Sequence, residues 1–402
     1  MALLIFTTGL DIGYIEYLAQ FEKVYVFSDY ISGFPDMEDL AIARNLDNVE
    51  VLTEFTVDLN EIDKVVTLDC YYGFFIELFK RIGKPVFGAG NEAVIENNRL
   101  LQKQLLPQVT PYEIKKLETI EAPSVVKVNP YYRGSFETQI FHNKAEVEFF
   151  KNKLKLEAGV FAEEIEYFQE QIIEKETEIG VDGLSISGIT FPLLFGIEQS
   201  KSTYIAKVIK GWDELYKTPL ITNLKVLDDL FRQMNYVGFF STEEIVPKKS
   251  WQKSYLIDIC MRLALPLGTG YLKFYSNIYD VIRYNLPLNP TAEYIFVIPL
   301  SCSLAEKYFV PAVFTDYQIF EKFISLQTFY KPKKTKTKFL ELYFIKGFTT
   351  IGVIVLKSNK FPEWDDLEET LQKIYKTIEI PNLVDETETL KENYEHFKKV
   401  LE

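Results

Sequence analysis

The sequence predicts a mixed α/β (α+β) protein that begins with an open α/β unit, and three observations carry that expectation. Short apolar runs alternate with helical patterns over residues 1–90, the signature of strands separated by helices. From Pro111 onward the alternation gives way to a mixture of strands and helices. Apolar residues make up 47% of the 402 positions and charged residues 25%, enough for a large core shared by two or three domains.

In the first unit, 1–110, Leu3–Phe6, Val24–Phe27, Val49–Leu52 and Lys64–Leu68 are strand candidates. Ile12–Phe21 and Tyr72–Ile82 have helical spacing, and Gly83-Lys-Pro-Val86 leads into a further strand. Glu92–Leu106 is an amphipathic helix stopped by Pro107. In the second unit, 111–284, Ser124–Val128 and Val160–Ile165 are predicted strands. Glu178–Gly183 opens a run of short strands towards Gly196, and Val226–Met234 is a helix. In the third, 285–402, Tyr294–Ile298, Leu340–Phe344 and Thr350–Val355 are strands, followed by helices over Trp364–Tyr375 and Asp385–Leu401. Lys331–Lys338 is a basic loop of the kind that is ordinarily a solvated turn.

Composition removes several classes of function. A net charge of -14 argues against a general binder of nucleic-acid backbone, so direct nucleic-acid binding is not expected. Cys70, Cys260 and Cys302 lack paired spacing, which argues against a disulfide framework and against a zinc site, and makes the cytoplasm the expected compartment. Met1–Phe6 is short and has no basic flank, so it suits a first strand rather than a signal peptide. No apolar run approaches the length that spans a bilayer. With only His142 and His396, neither a histidine-based triad nor a histidine-rich metal site is expected.

The densest chemistry lies in Gly238-Phe-Phe-Ser-Thr-Glu243 and Tyr255-Leu-Ile-Asp-Ile-Cys-Met-Arg262, which flank the polar stretch Pro247–Lys253 as an antiparallel hairpin would. Alternation puts Asp258, Cys260 and Arg262 on one face and Ile257, Ile259 and Met261 on the other. Centred near Ser250 and Trp251, the hairpin sets Glu243 directly across from Asp258. Facing carboxylates repel unless a cation or a proton lies between them, and hard oxygen ligands favour Mg²⁺ or Mn²⁺. The alternatives are a carboxylate turned to solvent or a register shifted by one.

Lys127 sits in an apolar strand on the face opposite Val126 and Val128, where an ammonium needs a partner, either a protein carboxylate or a phosphate. The turn that follows, Asn129-Pro-Tyr-Tyr-Arg-Gly-Ser135, can fold over phosphates through backbone N–H groups and the Arg133 guanidinium. Glu163 and Glu164 fall near a predicted strand end, where acidic pairs are ordinarily solvated. Glu178 opens the next strand and can accept both hydroxyls of a ribose.

Taken in order, these segments resemble the ATP-grasp superfamily over about Lys64 to Pro266. The resemblance is carried by Leu68-Asp-Cys-Tyr-Tyr-Gly73, Gly83-Lys-Pro-Val-Phe-Gly88, Glu96-Asn-Asn-Arg99, Val125–Thr138, Glu178-Ile-Gly-Val-Asp-Gly183 and the two hairpin strands. The sequence looks most like phosphoribosylamine–glycine ligase, and more closely still like ligase-like ATP-grasp proteins encoded by bacteriophages. The resemblance implies that Lys103 and Lys127 hold the phosphates of ATP and that the loop with Arg133 and Gly134 closes over them. It further implies that the Ala162–Glu166 segment, with Glu163, Glu164 and Glu166, presents backbone groups to adenine, and that Glu178 holds the ribose. Glu243 and Asp258 would bind Mg²⁺ beside the position of Cys260, and Arg262 would contact phosphate or a substrate carboxylate. The implied reaction activates a small-molecule carboxylate as an acyl phosphate, which an amine then attacks.

The sequence departs from the family at three places. Cys260 stands where the family carries a metal-ligating asparagine, and thiols suit Mg²⁺ poorly. The phosphate loop has one glycine where others have several. Leu263-Ala-Leu-Pro-Leu267 lacks the acidic residue of the glycine ligase, which points away from purine synthesis. Three readings follow: a ligase of another carboxylate–amine pair, a degenerate nucleotide-binding or interaction module, and a phage enzyme that modifies nucleotides or DNA bases.

Overall fold

A strand can be covered on both faces only when its side chains are apolar on both, and Ala2–Phe6 meets that condition with no residue more than 3% exposed. In the computed structural model, which describes residues 2–28, 42–52, 55–129, 138–197, 202–248, 251–333 and 338–401, this strand is the centre of a parallel sheet. The strands are β1 (Ala2–Phe6), β2 (Lys23–Phe27), β3 (Val49–Leu52), β4 (Ile62–Thr67) and β5 (Val86–Phe87), in the order β3-β2-β1-β4-β5. The chain leaves β1 towards β2 on one side and returns with β4 on the other, so a crevice opens at their carboxyl ends.

Four antiparallel strands come next: β6 (Tyr112–Lys115), β7 (Ser124–Asn129), β8 (Thr138–Phe141) and β9 (Glu166–Glu170), ordered β6-β9-β7-β8. Val126, Val128 and Tyr167 pack on Phe150 and Leu154 of the helix Lys144–Ala158, which covers one face of this sheet. The remaining strands are β10 (Lys175–Ile186), β11 (Ile189–Ile197), β12 (Tyr204–Val208), β13 (Gly238–Pro247), β14 (Tyr255–Cys260), β15 (Tyr294–Ser301), β16 (Val310–Phe314), β17 (Ile324–Leu326), β18 (Leu340–Phe344), β19 (Thr350–Ser358) and β20 (Ile378–Glu379). Eight of them form one antiparallel sheet, β14-β13-β10-β11-β12-β15-β19-β17, which runs across residue 285 through the β12–β15 pairing. β16, β18 and β20 form a smaller sheet. Among the described residues no helix is long and apolar enough to cross a membrane.

Several elements differ from expectation for local reasons. The helix expected over 92–106 is broken at Asn98, whose extended backbone and side chain (accepting from Leu101 N–H, 3.0 Å) start a new helix, Arg99–Leu105. The strand expected over Val160–Ile165 is instead the helical turn Phe161–Glu164. Gly159, at φ +56°, ends the preceding helix, and only Ala162 of the turn is buried; β9 starts at Glu166. The short strands expected between 178 and 196 are two long ones, β10 and β11, joined at Ser187 and Gly188, both at positive φ. The helix expected from Val226 begins five residues earlier, at Ile221.

Candidate active site

Glu243 is paired directly with Asp258, and Ser241 with Cys260, across β13 and β14. Directly opposed residues of an antiparallel pair point to one side. On β10, Gly180 lies opposite Glu243 and Asp182 opposite Ser241, with Glu178 two residues further along the same face. Glu178, Asp182, Glu243, Asp258 and Cys260 therefore line one face of the sheet, and the other face carries apolar residues such as Val181, Val246 and Ile259 into the core. Asp182 is buried and accepts from the Tyr204 hydroxyl (2.6 Å); burial pushes its carboxyl up to about 7, against the hydrogen bonds from Tyr204 and Ser241 and with help from the Glu243 charge. Glu178 is buried beside Lys175 (3.0 Å).

The pairing slips by one residue between Glu243 and Glu244, so β14 carries a bulge at Ile257. The freed carbonyl of Ile257 accepts from the Lys127 ammonium (2.5 Å). Lys127 thus reaches away from Val126 and Val128, as its place in the strand predicts, to the residue next to Asp258. Its other partner is Glu170 at the end of β9 (3.9 Å). Lys103, from the helix Arg99–Leu105, forms a 2.6 Å ion pair with the same carboxylate and donates to Thr110 Oγ1 (3.0 Å), whose hydroxyl donates to Glu170 in turn (2.7 Å). Burial lowers the Lys103 pKa, opposed by Glu170 and assisted by Lys127 and Arg99. Two buried ammonium groups sharing one carboxylate leave net positive charge, and the Arg99 guanidinium, buried close by, donates to the Val128 carbonyl (2.9 Å). An anion with several oxygens is the partner that such a cluster fits.

These parts are held together by residues 108–110. Asn223 exchanges two hydrogen bonds with the Gln108 backbone (3.0 and 2.9 Å), and Leu256 N–H donates to the Gln108 carbonyl (2.8 Å). Thr110, and with it the lysine cluster, is thereby laid along β14.

Arg262 follows β14 and is clamped by Glu96, which accepts from its Nε (2.8 Å) and from Met261 N–H (2.6 Å). Burial drives the Cys260 thiol well above its ordinary pKa, against the pull of Arg262 and with the push of Glu96, Asp258 and Glu243. A protonated thiol is not a magnesium ligand, so carboxylate oxygens are the donors that this face offers to a hard cation. Among the described residues no three His, Cys, Asp or Glu side chains converge as a metal cluster. The opposed pair Glu243–Asp258 still fits Mg²⁺, which keeps several waters and takes one or two carboxylates together with substrate phosphates.

Not every expected residue joins this assembly. Glu163 and Glu164 lie on the helical turn at the outer surface, Glu163 facing Lys155 (3.7 Å) and the Glu164 carbonyl accepting from Lys116 (2.8 Å). Glu166 is exposed at the start of β9, opposite Asn129. Arg133, Gly134, the hairpin tip at Ser250 and residues 334–337 of the basic loop lie outside the described residues. Sequence reasoning missed Glu170, Thr110 and the clamp by Glu96. An acid two residues beyond the aromatic pair Tyr167-Phe168, at the close of that run, was the available signal for the first.

No protein-family model matches the chain, and no curated protein matches it in sequence. Solved structures do match it, along nearly their whole length. Phosphoribosylamine–glycine ligase from Thermotoga maritima superposes with a TM-score of 0.64 at 12% identity, covering 96% of this chain and 98% of that one. The biotin carboxylase domain of 2-oxoglutarate carboxylase from Hydrogenobacter thermophilus, in complex with MgADP, gives 0.64 at 13% identity over 97% and 92%. L-amino acid ligase from Bacillus licheniformis gives 0.58 at 14% identity over 94% and 98%. These neighbours are ATP-grasp enzymes, and the chain has the ATP-grasp fold.

Proposed function

We propose that this protein is an ATP- and Mg²⁺-dependent ligase that joins a small-molecule carboxylate to an amine through an acyl phosphate. The observation that carries the proposal is the excess positive charge of Lys103 and Lys127 around Glu170, set one residue from the opposed carboxylates Glu243 and Asp258. The ligases among the structural neighbours support it, as does the MgADP complex of one of them. In this reading Lys103 and Lys127 hold the nucleotide phosphates, with Arg133 and Gly134 in the covering loop. Glu178 holds the ribose, and Glu243 and Asp258 hold Mg²⁺, which supplies charge neutralisation on phosphate oxygens. The substrate carboxylate takes the γ-phosphoryl group and ADP leaves. The amine nitrogen then bonds to the acyl carbon, the carbon–oxygen bond to phosphate breaks, inorganic phosphate leaves with the electron pair, and the nitrogen gives up a proton. Positioning and charge neutralisation suffice for this chemistry without histidine. The site of action is the cytoplasm, that of a host cell if the gene is a phage's.

Thermal unfolding tests the reading. ATP with Mg²⁺ at a hundred times its dissociation constant adds about 2.7 kcal/mol, a rise of about 3 °C for a chain of this length. The rise should vanish with chelator, in Asp258→Asn and in Lys127→Ala. Absence of any rise at millimolar ATP would sink the proposal. Cys260, a neutral thiol on the metal face, favours a rival reading in which nucleotide binds without turnover. ADP formation that requires a carboxylate and an amine together decides between the two.

A further inference from the structure

The helix Lys144–Ala158 is apolar on two sides. Val147, Phe150 and Leu154 face the four-stranded sheet and are buried against it. On the opposite side Ala145, Phe149, Asn152 and Leu156 follow one another at steps of four, three and four residues, and all four are exposed. Phe149 is 72% exposed and Leu156 87%, and the stripe runs on past the helix end into Val160 (80%) and Phe161 (72%). Alternating steps of three and four form the seam by which one helix packs along another. An apolar stripe so open to water marks a contact surface. Towards the amino end of the same helix, a groove of about 520 Å³ runs between Ala145, Phe149 and the edge strand β8, where Ile140 is 57% exposed.

One face thus carries a bulky apolar end and a hollow one, and a twofold axis through the middle of the helix exchanges them. With two such helices antiparallel, Leu156 falls on Ala145 of the second copy and Phe149 on Asn152, large against small or polar at each level. Val160 and Phe161 then come over the groove beside Ile140 of the second copy. The flanking charges obey the same symmetry: Glu146 comes beside Lys153 of the second copy and Glu148 beside Lys155, each pair occurring twice. Three of these side chains also have partners on their own chain. Glu146 accepts from His142 N–H (2.6 Å), Glu148 lies 3.4 Å from Lys151, and Lys155 stands by Glu163 (3.7 Å), yet none of the four is buried. Parallel pairing would stack Phe149 on Phe149 and leave both grooves empty. The stripe alone admits any apolar helix; the match of charges, and of bulky end to groove, within one sequence selects a second copy.

We propose that the protein self-associates as a twofold dimer through this helix, antiparallel to its copy, with Leu156, Val160 and Phe161 of each chain seated on Ala145 and the groove of the other. The helix covers the sheet face opposite the one from which Lys127 reaches Ile257. The dimer therefore leaves the nucleotide side open and stands independently of the ligase reading.

Sedimentation velocity from about 1 to about 100 µM reads the association. The mass should climb towards twice 46.8 kDa. Leu156→Glu should remain a single chain throughout. Its ATP–Mg²⁺ response should match the parent, as should its Tm at dilutions where both are single chains, because so exposed a residue supports no core. Glu148→Lys should weaken association several-fold, and less so at high salt. In an equimolar mixture of Ala145→Cys and Leu156→Cys chains, a short thiol cross-linker should join one variant to the other and neither to itself, with the parent as control for its own cysteines. A single chain at every concentration overturns the proposal. So does association undiminished in Leu156→Glu, or cross-linking of Ala145→Cys to itself.

Discussion

Replacing Glu170 by glutamine removes the one charge that Lys103 and Lys127 share while keeping the shape of the side chain. At an effective dielectric constant of about 20, unit charges at the observed 2.6 and 3.9 Å attract by about 6 and about 4 kcal/mol. Desolvation offsets much of that gross attraction. Removing one partner of a buried pair costs about 3–5 kcal/mol because the remaining charge is stranded. Lys103 and Glu170 have side chains only 2% and 1% exposed, so solvent screening does not soften the loss. Unfolding entropy for a chain of this size is about 0.8 kcal/mol/K, which converts the loss into a fall in Tm of about 4–6 °C. The assay is thermal unfolding of Glu170→Gln and its parent, each with and without ATP–Mg²⁺. Phosphates should replace the missing charge, so the deficit should shrink with nucleotide, and the variant should bind ATP at least as tightly as the parent. A fall below about 1 °C, or a deficit that nucleotide leaves unchanged, would refute the idea of a lysine pair awaiting phosphate.

Two further substitutions probe the hairpin. Cys260→Asn replaces a half-buried neutral thiol with an oxygen donor on the metal face, and should preserve or improve Mg²⁺ affinity as read by metal titration of the ATP-dependent Tm rise; a sharp loss would give the thiol a role of its own. Glu244, on the opposite face, is fully buried with Ser254 and Asn223 (2.5 and 3.1 Å), and burial pushes its carboxyl up to about 8 against those two bonds. The folded protein therefore keeps a proton that the unfolded chain has lost. Glu244 contributes a stability that falls as pH rises from about 5 to about 8, by at most about 1.4 kcal/mol per unit. With chelator and no nucleotide, Glu244→Gln should flatten that dependence, and parallel stability–pH curves would contradict it.

The hairpin register was legible because alternation and turn length are local: the residues that oppose Glu243 to Asp258 all lie within twenty positions. The bulge at Ile257 was not, since it goes with a hydrogen bond from Lys127, 130 residues earlier. The polar face of Lys127 could be read from its valine neighbours, yet its partner Glu170 could not, because strand pairing alone brings β9 beside β7. Val160–Ile165 misled for a different reason. Its apolar residues suggest a strand, but Val160 and Phe161 are exposed and the preceding Gly159 has already turned the chain.

The pairing of β12 with β15 ties the hairpin to the carboxy-terminal segment at the level of main-chain hydrogen bonds. A chain cut after Tyr284 would leave β12 with a row of bare donors and acceptors and strip three strands from the wall behind the carboxylates. The carboxy-terminal segment is therefore masonry rather than appendage. Changes within it reach the nucleotide face through the slope and twist of a common sheet, without touching any ligand.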